Sequence, residues 1–441
     1  MKTKVGVISL GCDKNRIDTE VMLANLAKGG YQITNDQNDA DVLIVNTCAF
    51  LQSSREEAID TILEMAHLKE DGGKKLIVTG CLGQKFGEEV FEGFPEVDAV
   101  IGTNDYDKIC EIVGSVVAGD RRNLYTNCND ALTFGDRILT TQSHVAYLKT
   151  SDGCNNFCTY CLIPYIRGRF RSVAMEQIVE HAKQLADGGV RELILVAQDT
   201  TRYGKDLYGE IRLVELLKQL SAIEKIHWIR LLYCYPELMD DKLIEEIASN
   251  PKIVKYVDIP LQHVDDTILR KMNRRSNYAS ICQLFEKLAK KGIQIRSTFI
   301  CGFPGETKES VQLICDFLQK FKLRNVGFFA YSREEGTKSY AFEGHLPKRT
   351  KERYVAKCYK VQQGVVNELN TSDVGKVYEC VVESLQEERD GQYFYMGRTF
   401  FMAPEIDGNI LIISNEELPI GSFCDVKITN ALEYDLIGEK L

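Results

Sequence analysis

The stretch that decides the fold is SDGCNNFCTYCLIPYIRGRFRS, residues 151–172, in which three cysteines follow one another with the spacing CxxxCxxC. We call Cys154, Cys158 and Cys161 the loop triplet. Three thiolates at this spacing can hold three corners of a cubane iron–sulfur cluster and leave the fourth iron without a protein ligand. An open metal position binds and activates a small molecule, whereas a site closed by four protein ligands usually stabilises structure. The spacing therefore predicts cluster chemistry.

A structural zinc site is the alternative interpretation of the loop triplet. Zinc knuckles usually combine two CxxC elements or add a histidine pair downstream of the cysteines. The sequence contains no second CxxC and no closely spaced pair of histidines. The spacing rules therefore favour an iron–sulfur cluster over zinc.

Length and composition are those of a large soluble enzyme. The chain of 441 residues is long enough for two to four domains of about 150 residues each. The first residues, MKTKVGVISLGCDKN, lack the apolar core and cleavage site of a signal peptide. No stretch has the roughly 18 uncharged apolar residues of a membrane helix. Fifteen cysteines in such a chain predict reduced thiols rather than disulfides, so we expect a cytoplasmic protein without membrane contact.

The first part of the chain, 1–118, alternates apolar strand-like runs with helical stretches. The runs KVGVISLGC, DVLIVNTC and KKLIVTGC are separated by the amphipathic NRIDTEVMLANLAKGG and by a helical stretch from about Ser54 to Glu70. Uninterrupted apolar strands that alternate with helices predict an open parallel α/β sheet that is covered on both faces.

One cysteine follows each of these three strands. Cys12, Cys48 and Cys81 stand in the motifs SLGC, NTC and TGC, and we call them the strand-end triplet. Parallel strands deliver their carboxyl ends to one edge of an open sheet, where ligands bind, so the three thiols should converge in space. A single cysteine at such a position is often a small buried hydrophobe. Three at equivalent positions predict a second cluster site instead.

A second α/β part, 140–372, follows the polar segment 119–139, which predicts a linker or an irregular crossover. Its candidate strands are VAYLKTS, RELILVAQD, WIRLLYCYP, VKYVDIPLQH, IRSTFICGFPG and RNVGFFAYS. Amphipathic helices lie between them, so the six units predict a partial parallel (β/α)6 barrel rather than the full eight. The loop triplet follows the first strand and should therefore lie on the carboxyl-terminal face, where barrel enzymes place their chemistry.

Polar residues follow other strands on the same face. Gln198 and Asp199 end the second strand, and Gln262 ends the fourth. Together with Gly302 and Gly305 after the fifth strand, they predict the mouth of a cofactor site. Each position taken alone is equally compatible with ordinary loop polarity, and the two glycines with simple turns.

The last part, 373–441, changes to short alternating strands. KVYECVVES, YFYMGRTFFMA, NILIISN and FCDVKITNALEYDLIGE predict a small antiparallel β-barrel. From Lys376 to Leu441 there are 5 Lys or Arg and 13 Asp or Glu, a balance of −8 that makes up most of the chain's net −10. An acidic surface repels phosphate backbones and attracts basic proteins. We therefore expect no direct nucleic-acid substrate; the alternative is a solvated surface without a partner.

The whole chain resembles one family in the same domain order. The CxxxCxxC run, with Tyr160 before its last cysteine, resembles the radical S-adenosylmethionine superfamily. The SLGC, NTC and TGC cysteines resemble the N-terminal domain of the methylthiotransferases within that superfamily, and the final barrel resembles their TRAM domain. The resemblance implies an enzyme of three domains that transfers a methylthio group.

Shorter runs resemble the methylthiotransferases that modify an aspartate of the basic ribosomal protein S-twelve. The run VDIPLQHVDDTILRKMNR has His263, Val264 and Asp265 where tRNA-modifying relatives typically carry Ser-Gly-Ser, and GRTFFMAPEIDG also resembles the ribosomal-protein enzymes. Asp152 replaces the Glu that many relatives have before Gly-Cys, and it keeps the charge. The alternatives are a tRNA adenosine methylthiotransferase and a non-catalytic iron–sulfur or RNA-binding scaffold.

The resemblance also implies the cofactors. They are two 4Fe–4S clusters, S-adenosylmethionine, and sulfide or polysulfide as the sulfur source. The cluster on the loop triplet would generate a 5′-deoxyadenosyl radical, which can attack the unactivated β-carbon of aspartate, and the cluster on the strand-end triplet would supply methylthio. No catalytic side chain is implied beyond the six metal ligands, which are Cys12, Cys48, Cys81, Cys154, Cys158 and Cys161.

Further expectations concern the cofactor contacts and the partners. The candidate contacts to S-adenosylmethionine are Tyr160, Gln198, Asp199 and Gln262. The arginines that follow the loop triplet at 167, 169 and 171 predict bidentate contacts to carboxylates, or else a solvated basic loop. The expected partners are ribosomal protein S-twelve, free or in the small subunit, and an electron donor such as flavodoxin or ferredoxin. We expect a monomer.

Overall fold

The computed structural model describes residues 2–70, 73–129, 132 and 134–441. Two parallel sheets and a closed β-barrel follow one another along the chain. This order confirms the predicted α/β class with a small all-β domain. In the described part of the chain, no helix is long and apolar enough to cross a membrane, and the fifteen cysteines there are all free thiols.

The first sheet consists of six parallel strands. They are β1 (Lys4–Ser9), β2 (Gln32–Thr34), β3 (Val42–Thr47), β4 (Lys75–Gly80), β5 (Ala99–Ile101) and β6 (Arg122–Leu124). The helices are α1 (Asp13–Lys28), α2 (Gln52–Glu70), α3 (Cys81–Gly93) and α4 (Ile109–Val117), with a short 3-10 turn at Tyr106–Lys108. The spatial order is β2-β1-β3-β4-β5-β6. Every residue of β3 is buried, because helices cover both faces.

One edge of this sheet comes from an unexpected place. Strand β6 lies inside the segment 119–139 and pairs in parallel with β5. The three residues Arg-Asn-Leu include only one apolar side chain and are too few to give a period of two that can be recognised. Pairing with a neighbouring edge strand, rather than local sequence, makes this segment a strand.

The second sheet belongs to a half-barrel. Its six strands in chain order are β7 (Val145–Lys149), β10 (Glu192–Val196), β11 (Trp228–Leu231), β12 (Ile253–Asp258), β13 (Gln294–Cys301) and β14 (Asn325–Ala330), and a small hairpin of β8 (Ser151–Asp152) and β9 (Arg171–Ser172) stands between the first two. All neighbours are parallel, in the order β14-β13-β12-β11-β10-β7. The six predicted strands are therefore confirmed as an open, partial barrel.

Helices cover the outside of the half-barrel. They are α6 (Met175–Asp187), α7 (Leu213–Ser221), α8 (Asp241–Ser249), α9 (Asp266–Lys271), α10 (Tyr278–Lys290), α11 (Lys308–Phe321) and α12 (Lys348–Asp373). The short α5 (Ile163–Ile166) packs against the first domain instead. Short 3-10 turns lie at Thr200–Arg202, Pro236–Leu238 and Lys338–Ala341. The core between sheet and helices is built from the apolar stripes of these helices.

The third domain is a closed five-stranded barrel. Its strands are β15 (Val377–Arg389), β16 (Gln392–Thr399), β17 (Ile410–Ser414), β18 (Phe423–Ala431) and β19 (Leu436–Lys440), in the order β15-β16-β17-β19-β18. The last predicted run divides into two strands around a turn. The barrel is antiparallel except where β17 and β19 pair in parallel, so the expectation of a wholly antiparallel barrel is wrong at this one seam. Strand order at closure depends on tertiary contacts, which alternation along the chain does not encode.

The third domain fills the concave side of the half-barrel. Inner residues of the half-barrel strands, such as Trp228 and Tyr256, pack in one cluster with apolar residues of the small barrel. Glu192 lies between Arg230 and Arg398, at 2.8 Å from each, and all three side chains are fully buried. A buried ion pair that loses one partner is strongly destabilised, so this contact fixes the orientation of the small barrel on the half-barrel.

Candidate metal centre

The loop triplet lies at the carboxyl-terminal end of β7, in the loop closed by the hairpin of β8 and β9. Cys154 and Cys158 are buried and Cys161 is half-buried. Gly153 has φ +77°, and a Cβ there would lie 2.1 Å from the carbonyl oxygen of Arg169. Only glycine fits this close approach of two backbone segments, so the Gly-Cys pair of the motif has a structural reason.

Side chains of the half-barrel hold the loop in place. Asn273 donates from Nδ2 to the carbonyl oxygens of Asn156 and Phe157, each at 3.0 Å. Thr159 donates from its backbone N to the carbonyl oxygen of Met272 at 3.1 Å. These bonds within the chain hold the loop against the half-barrel.

The thiols of the loop triplet are surrounded by hydrogen-bond donors. Burial raises the pKa of Cys154 to about 11, while backbone N–H groups point at sulfur in two places, at 3.5 Å from Cys154 Sγ and 3.4 Å from Cys161 Sγ. Arg274 Nη1 lies 3.9 Å from Cys158 Sγ, and the hydroxyl of Tyr235 lies 3.8 Å from the same sulfur. Such donors favour the thiolate form that an iron ligand requires.

The strand-end triplet converges at the edge of the first sheet, where its three strands end. Gly11 has φ +90°, and a Cβ there would lie 2.7 Å from Cys48 Cβ, so the backbone before Cys12 directly adjoins Cys48. Burial raises the pKa of Cys81 to about 12; the charge of Arg167 opposes this rise, and the nearby thiols Cys48 and Cys12 contribute to it. The three thiols therefore lie within electrostatic reach of one another.

Both triplets fit an iron–sulfur cluster in the chemistry of their donors. Each triplet offers three thiols, and its motifs contain no fourth cysteine or histidine that could be another ligand. In the described ranges, no three Cys, His, Asp or Glu side chains are close enough to hold a single metal ion. A four-iron cube is larger than one ion and takes one thiolate on each of three irons, so its ligands stand farther apart than those of a mononuclear site.

A buried ion network joins the two triplets across the domain boundary. The guanidinium of Arg167 lies 2.6 Å from Asp18 and 3.3 Å from Asp152, and its Nη2 lies 3.6 Å from Cys81 Sγ. Lys149 also pairs with Asp18. Because Asp18 belongs to α1 and Asp152 precedes the loop triplet, this network ties the strand-end triplet to the half-barrel.

The three arginines after the loop triplet differ from one another. Arg167 is buried and satisfied inside the protein, so a contact between Arg167 and a substrate carboxylate is not supported. Arg169 is exposed, with its guanidinium 4.7 Å from the ring centroid of Phe157. Arg171 donates from Nη2 to the carbonyl oxygen of Arg167 at 2.9 Å.

Two of the four candidate contacts to S-adenosylmethionine hold the loop itself. Asp199 is fully buried and accepts hydrogen bonds from Asn156 Nδ2 and Arg202 Nε, both at 2.9 Å. Gln198 donates from Nε2 to Asp152 Oδ1 at 2.9 Å. Its Oε1 is buried and has no hydrogen-bond partner among the described residues, which leaves an acceptor available for a ligand.

The other two candidates lie at the same mouth. Gln262 is half-buried with φ +70° and exchanges backbone hydrogen bonds of 2.8 Å with Thr298 and Ile300. A left-handed residue other than glycine is strained, and such strain gathers at ligand sites. Tyr160 is half-buried, with its ring edge-on to Phe303 at 6.5 Å between centroids.

His263 and Glu306 form a buried pair beside this mouth. Backbone N–H of Asp265 donates to His263 Nδ1 at 2.8 Å, so the proton of the ring is on Nε2, which lies 3.2 Å from Glu306 Oε1. The other carboxylate oxygen accepts the backbone N–H groups of Gly302 and Phe303. The His263–Glu306 pair therefore fixes the glycine turn after β13, which the sequence could not show because Glu306 lies 43 residues away.

Sequence reasoning did not single out Lys14, Tyr233 or Tyr235. The Nζ atom of Lys14 lies 3.0 Å from the ring centroid of Tyr233, and Tyr235 adjoins Cys158 as described above. Both tyrosines follow β11 on the carboxyl-terminal face. The strand-end rule that selected Gln198 and Gln262 could have selected these two as well.

Comparison with known sequences agrees with the three domains. The Radical SAM superfamily matches residues 148–318, the Uncharacterized protein family UPF0004 matches residues 4–102, and the TRAM domain matches residues 374–440. Together with two cysteine triplets at adjoining sheet edges, these matches define a radical S-adenosylmethionine enzyme. The predicted superfamily and domain order are thus confirmed.

Full-length relatives give the family. The chain is 48% identical to the ribosomal protein uS12 methylthiotransferase RimO of Clostridium tetani, over 99% of this chain and 98% of the relative. It is 49% identical to the RimO of Clostridium botulinum with the same coverage, and 47% identical to that of Acetivibrio thermocellus over 100% and 98%. The chain belongs to the ribosomal protein uS12 methylthiotransferase RimO family. Its fold also resembles the radical S-adenosylmethionine methyltransferase TsrM of Kitasatospora setae, with TM-score 0.55 and 14% identity over 75% of this chain and 73% of that one.

Proposed function

We propose that this enzyme transfers a methylthio group to the β-carbon of an aspartate in ribosomal protein uS12, the protein called S-twelve above. The observation that carries the proposal is the identity of 45–49% to RimO proteins along essentially the whole chain, together with two open cysteine triplets that adjoin across one domain boundary. Methylthiolation needs both a radical generator and a source of sulfur, and two three-cysteine sites can provide them.

Each triplet would hold one 4Fe–4S cluster. Such clusters supply single-electron reduction of S-adenosylmethionine at one site and an open iron for sulfur at the other. The protein positions the loop triplet through Asn273 and Asp199, excludes water from Cys154 and Cys158 by burial, and offers Arg274 to thiolate charge. The sulfur source in this proposal is sulfide or polysulfide, and the electron donor is a small carrier such as flavodoxin or ferredoxin.

The acidic third domain supports a basic protein substrate. Glu387, Glu388 and Asp390 are exposed at the turn between β15 and β16. The charge of Glu388 raises the pKa of the nearby phenol of Tyr393, as expected where negative charges gather. This surface would steer a basic protein toward the enzyme, and it would repel the phosphates of tRNA. We propose that the enzyme acts as a monomer in the cytoplasm, on free uS12 or on the small subunit.

Reconstitution tests the proposal directly. The full chain is loaded anaerobically with iron and sulfide, and reductant and S-adenosylmethionine are added with either a peptide spanning the uS12 loop or unmodified tRNA. Mass spectrometry should find a methylthio group on the aspartate of the peptide. A methylthio group found on the tRNA alone would refute the proposal. Absence of 5′-deoxyadenosine with either substrate would instead indicate a scaffold without catalysis.

A further inference from the structure

Lys14 is a buried lysine whose ammonium group has no anionic partner. It is the second residue of α1, two positions after Cys12, and only 6% of it is exposed. Its Nζ atom contacts the face of the Tyr233 ring. Throughout the described ranges, no carboxylate lies within 4.0 Å of it and no acceptor takes its hydrogen bonds. A buried charge is costly unless it is paired, so this one points to an anion that comes from outside the chain.

The two carboxylates whose charges act on Lys14 already have donors of their own. Asp13 accepts a hydrogen bond from the hydroxyl of Tyr233 at 3.2 Å. Asp258 accepts from Arg296 Nη1 at 2.9 Å and from the backbone N–H of Tyr233 at 3.0 Å. Neither forms an ion pair with Lys14, which keeps its ammonium group available.

The other cations near this space contact groups of the chain; Arg274 does so without a carboxylate, since it donates to the carbonyl oxygen of Pro260 at 2.7 Å and lies 3.9 Å from Cys158 Sγ. Arg16, on the same helix, binds Glu405 of the third domain at 2.8 Å. Arg167 is held by Asp18 and its network. An anionic group that enters between the triplets would therefore find Lys14 as a cation that is not already paired.

Tyr233 and Tyr235 show where this space lies. Tyr233 contacts Lys14, next to the strand-end triplet, and the hydroxyl of Tyr235 lies 3.8 Å from Cys158 Sγ of the loop triplet. The two tyrosines are separated by a single residue, and Tyr233 is held at φ +60°, a strained conformation of the kind found at ligand sites. A group bound to Lys14 would thus stand between the two metal sites, where a substrate that reacts with both must be.

We propose that the ammonium group of Lys14 binds the carboxylate of the substrate aspartate and thereby selects an acidic side chain. The inference rests on the proposed function, because it assigns a residue to that substrate. The β-carbon is bonded to the carboxyl carbon, so an ion pair at Lys14 would hold the β-carbon close to both triplets. An adenosine base has no carboxylate and would leave the lysine unpaired, which disfavours it as a substrate.

A binding cycle with two peptides and two enzymes tests the inference. The cluster-loaded full chain is titrated, without reductant so that no turnover occurs, with the uS12 loop peptide and with the same peptide carrying Asn at the modified position. The wild-type enzyme should bind the Asp peptide about 30-fold or more tightly than the Asn peptide. Lys14→Met should bind both peptides equally, near the wild-type affinity for the Asn peptide. Lys28→Met, at the exposed opposite end of α1, is the matched control and should keep the wild-type preference.

Each of the remaining outcomes of the binding experiment would contradict one part of the inference. An unchanged preference for the Asp peptide in Lys14→Met would overturn the assignment to Lys14. Equal binding of both peptides by the wild-type enzyme would overturn carboxylate recognition as such, and it requires no variant, so the test survives if Lys14→Met does not fold. Failure of the wild-type enzyme to bind either peptide would overturn the proposed function itself, and this inference with it. Iron content, measured for each variant, separates loss of the clusters from loss of peptide binding.

Discussion

Replacing Arg167 with methionine should loosen the N-terminal domain from the half-barrel. In the buried network, the cations Arg167 and Lys149 face the carboxylates Asp18 and Asp152, so the formal charge is zero. The variant leaves a net charge of −1 in a place where all four side chains are at most 4% exposed. Removing one partner of a buried ion pair costs about 3–5 kcal/mol, and we expect a loss of that size.

The same substitution should weaken iron binding by the strand-end triplet. Arg167 donates from Nη2 to Asn15 Oδ1 at 2.6 Å and approaches Cys81 Sγ at 3.6 Å. Loss of this cation leaves the Cys81 thiolate with less electrostatic support, because Arg167 lowers its pKa against the effect of burial. Iron content should therefore fall at this triplet while the loop triplet keeps its iron.

Hydrogen–deuterium exchange of the iron-free full chain measures the structural part of this prediction. Amides of α1 should exchange about 140-fold to 3,700-fold faster in Arg167→Met, which corresponds to the expected 3–5 kcal/mol. When Asp18→Asn is added to Arg167→Met, the double variant should recover at least about 1 kcal/mol of the lost free energy, since the network becomes neutral again. Arg169→Met, which changes an exposed arginine two positions away, should alter exchange by less than about 0.5 kcal/mol. If Arg167→Met and Arg169→Met exchange alike and keep the same iron, the network does not hold the domains together.

Three further changes have defined outcomes. Gly80→Ala should lose the iron of the strand-end triplet, because Gly80 has φ +90° and an added Cβ would lie 2.3 Å from Asn46 Oδ1. Gly93→Ala is the control and should keep this iron, because Gly93 has open space around it. Equal iron content in the two variants would contradict the prediction. Changing the whole loop triplet to alanine should remove about half of the iron measured after reconstitution, and undiminished iron would show that the loop triplet is not a ligand set. Burial, with a smaller effect of the Arg398 charge, lowers the pKa of His144 to about 4, so the unfolded chain binds this proton first and stability falls as pH drops from about 6.5 to 4. Urea titrations at each pH measure the free energy of unfolding, and over that range His144→Gln should lose up to about 3 kcal/mol less of it than the wild-type chain does. If both chains show the same dependence on pH, the assignment to His144 is refuted.

Much of the architecture could be predicted because it depends on local patterns. The apolar runs before Cys12, Cys48 and Cys81 are strands in the structure, and each cysteine follows the end of its strand; the strands before Cys48 and Cys81 are buried, whereas the strand before Cys12 is only partly buried. Alternation of strand and helix was enough to place the loop triplet after the first strand of a half-barrel. The strand-end rule works because parallel strands in one sheet point the same way, so the position of a residue along its strand determines the edge that it reaches.

Predictions about individual polar side chains were less informative. Asp199, a candidate cofactor contact, holds Asn156, and Arg167, for which a carboxylate contact or a solvated loop was considered, binds Asp18 of another domain. Strand β6 and the parallel seam between β17 and β19 also escaped prediction. In each case the partner is brought near by the packing of separate elements, and no periodicity along the chain specifies it.

The sequence by itself determined the donor chemistry: two sets of three cysteines, each set too small to close a four-iron cluster, in an order of domains shared with one family. Tertiary structure decided what surrounds those thiols. Arg167 meets Asp18 from 149 residues away, and Lys14 meets Tyr233 from across the domain boundary. The physical reason is that a thiolate can be an iron ligand in any fold that exposes it to iron, whereas the charge and hydrogen bonds that tune it depend on distances of a few ångströms between segments that are remote in sequence.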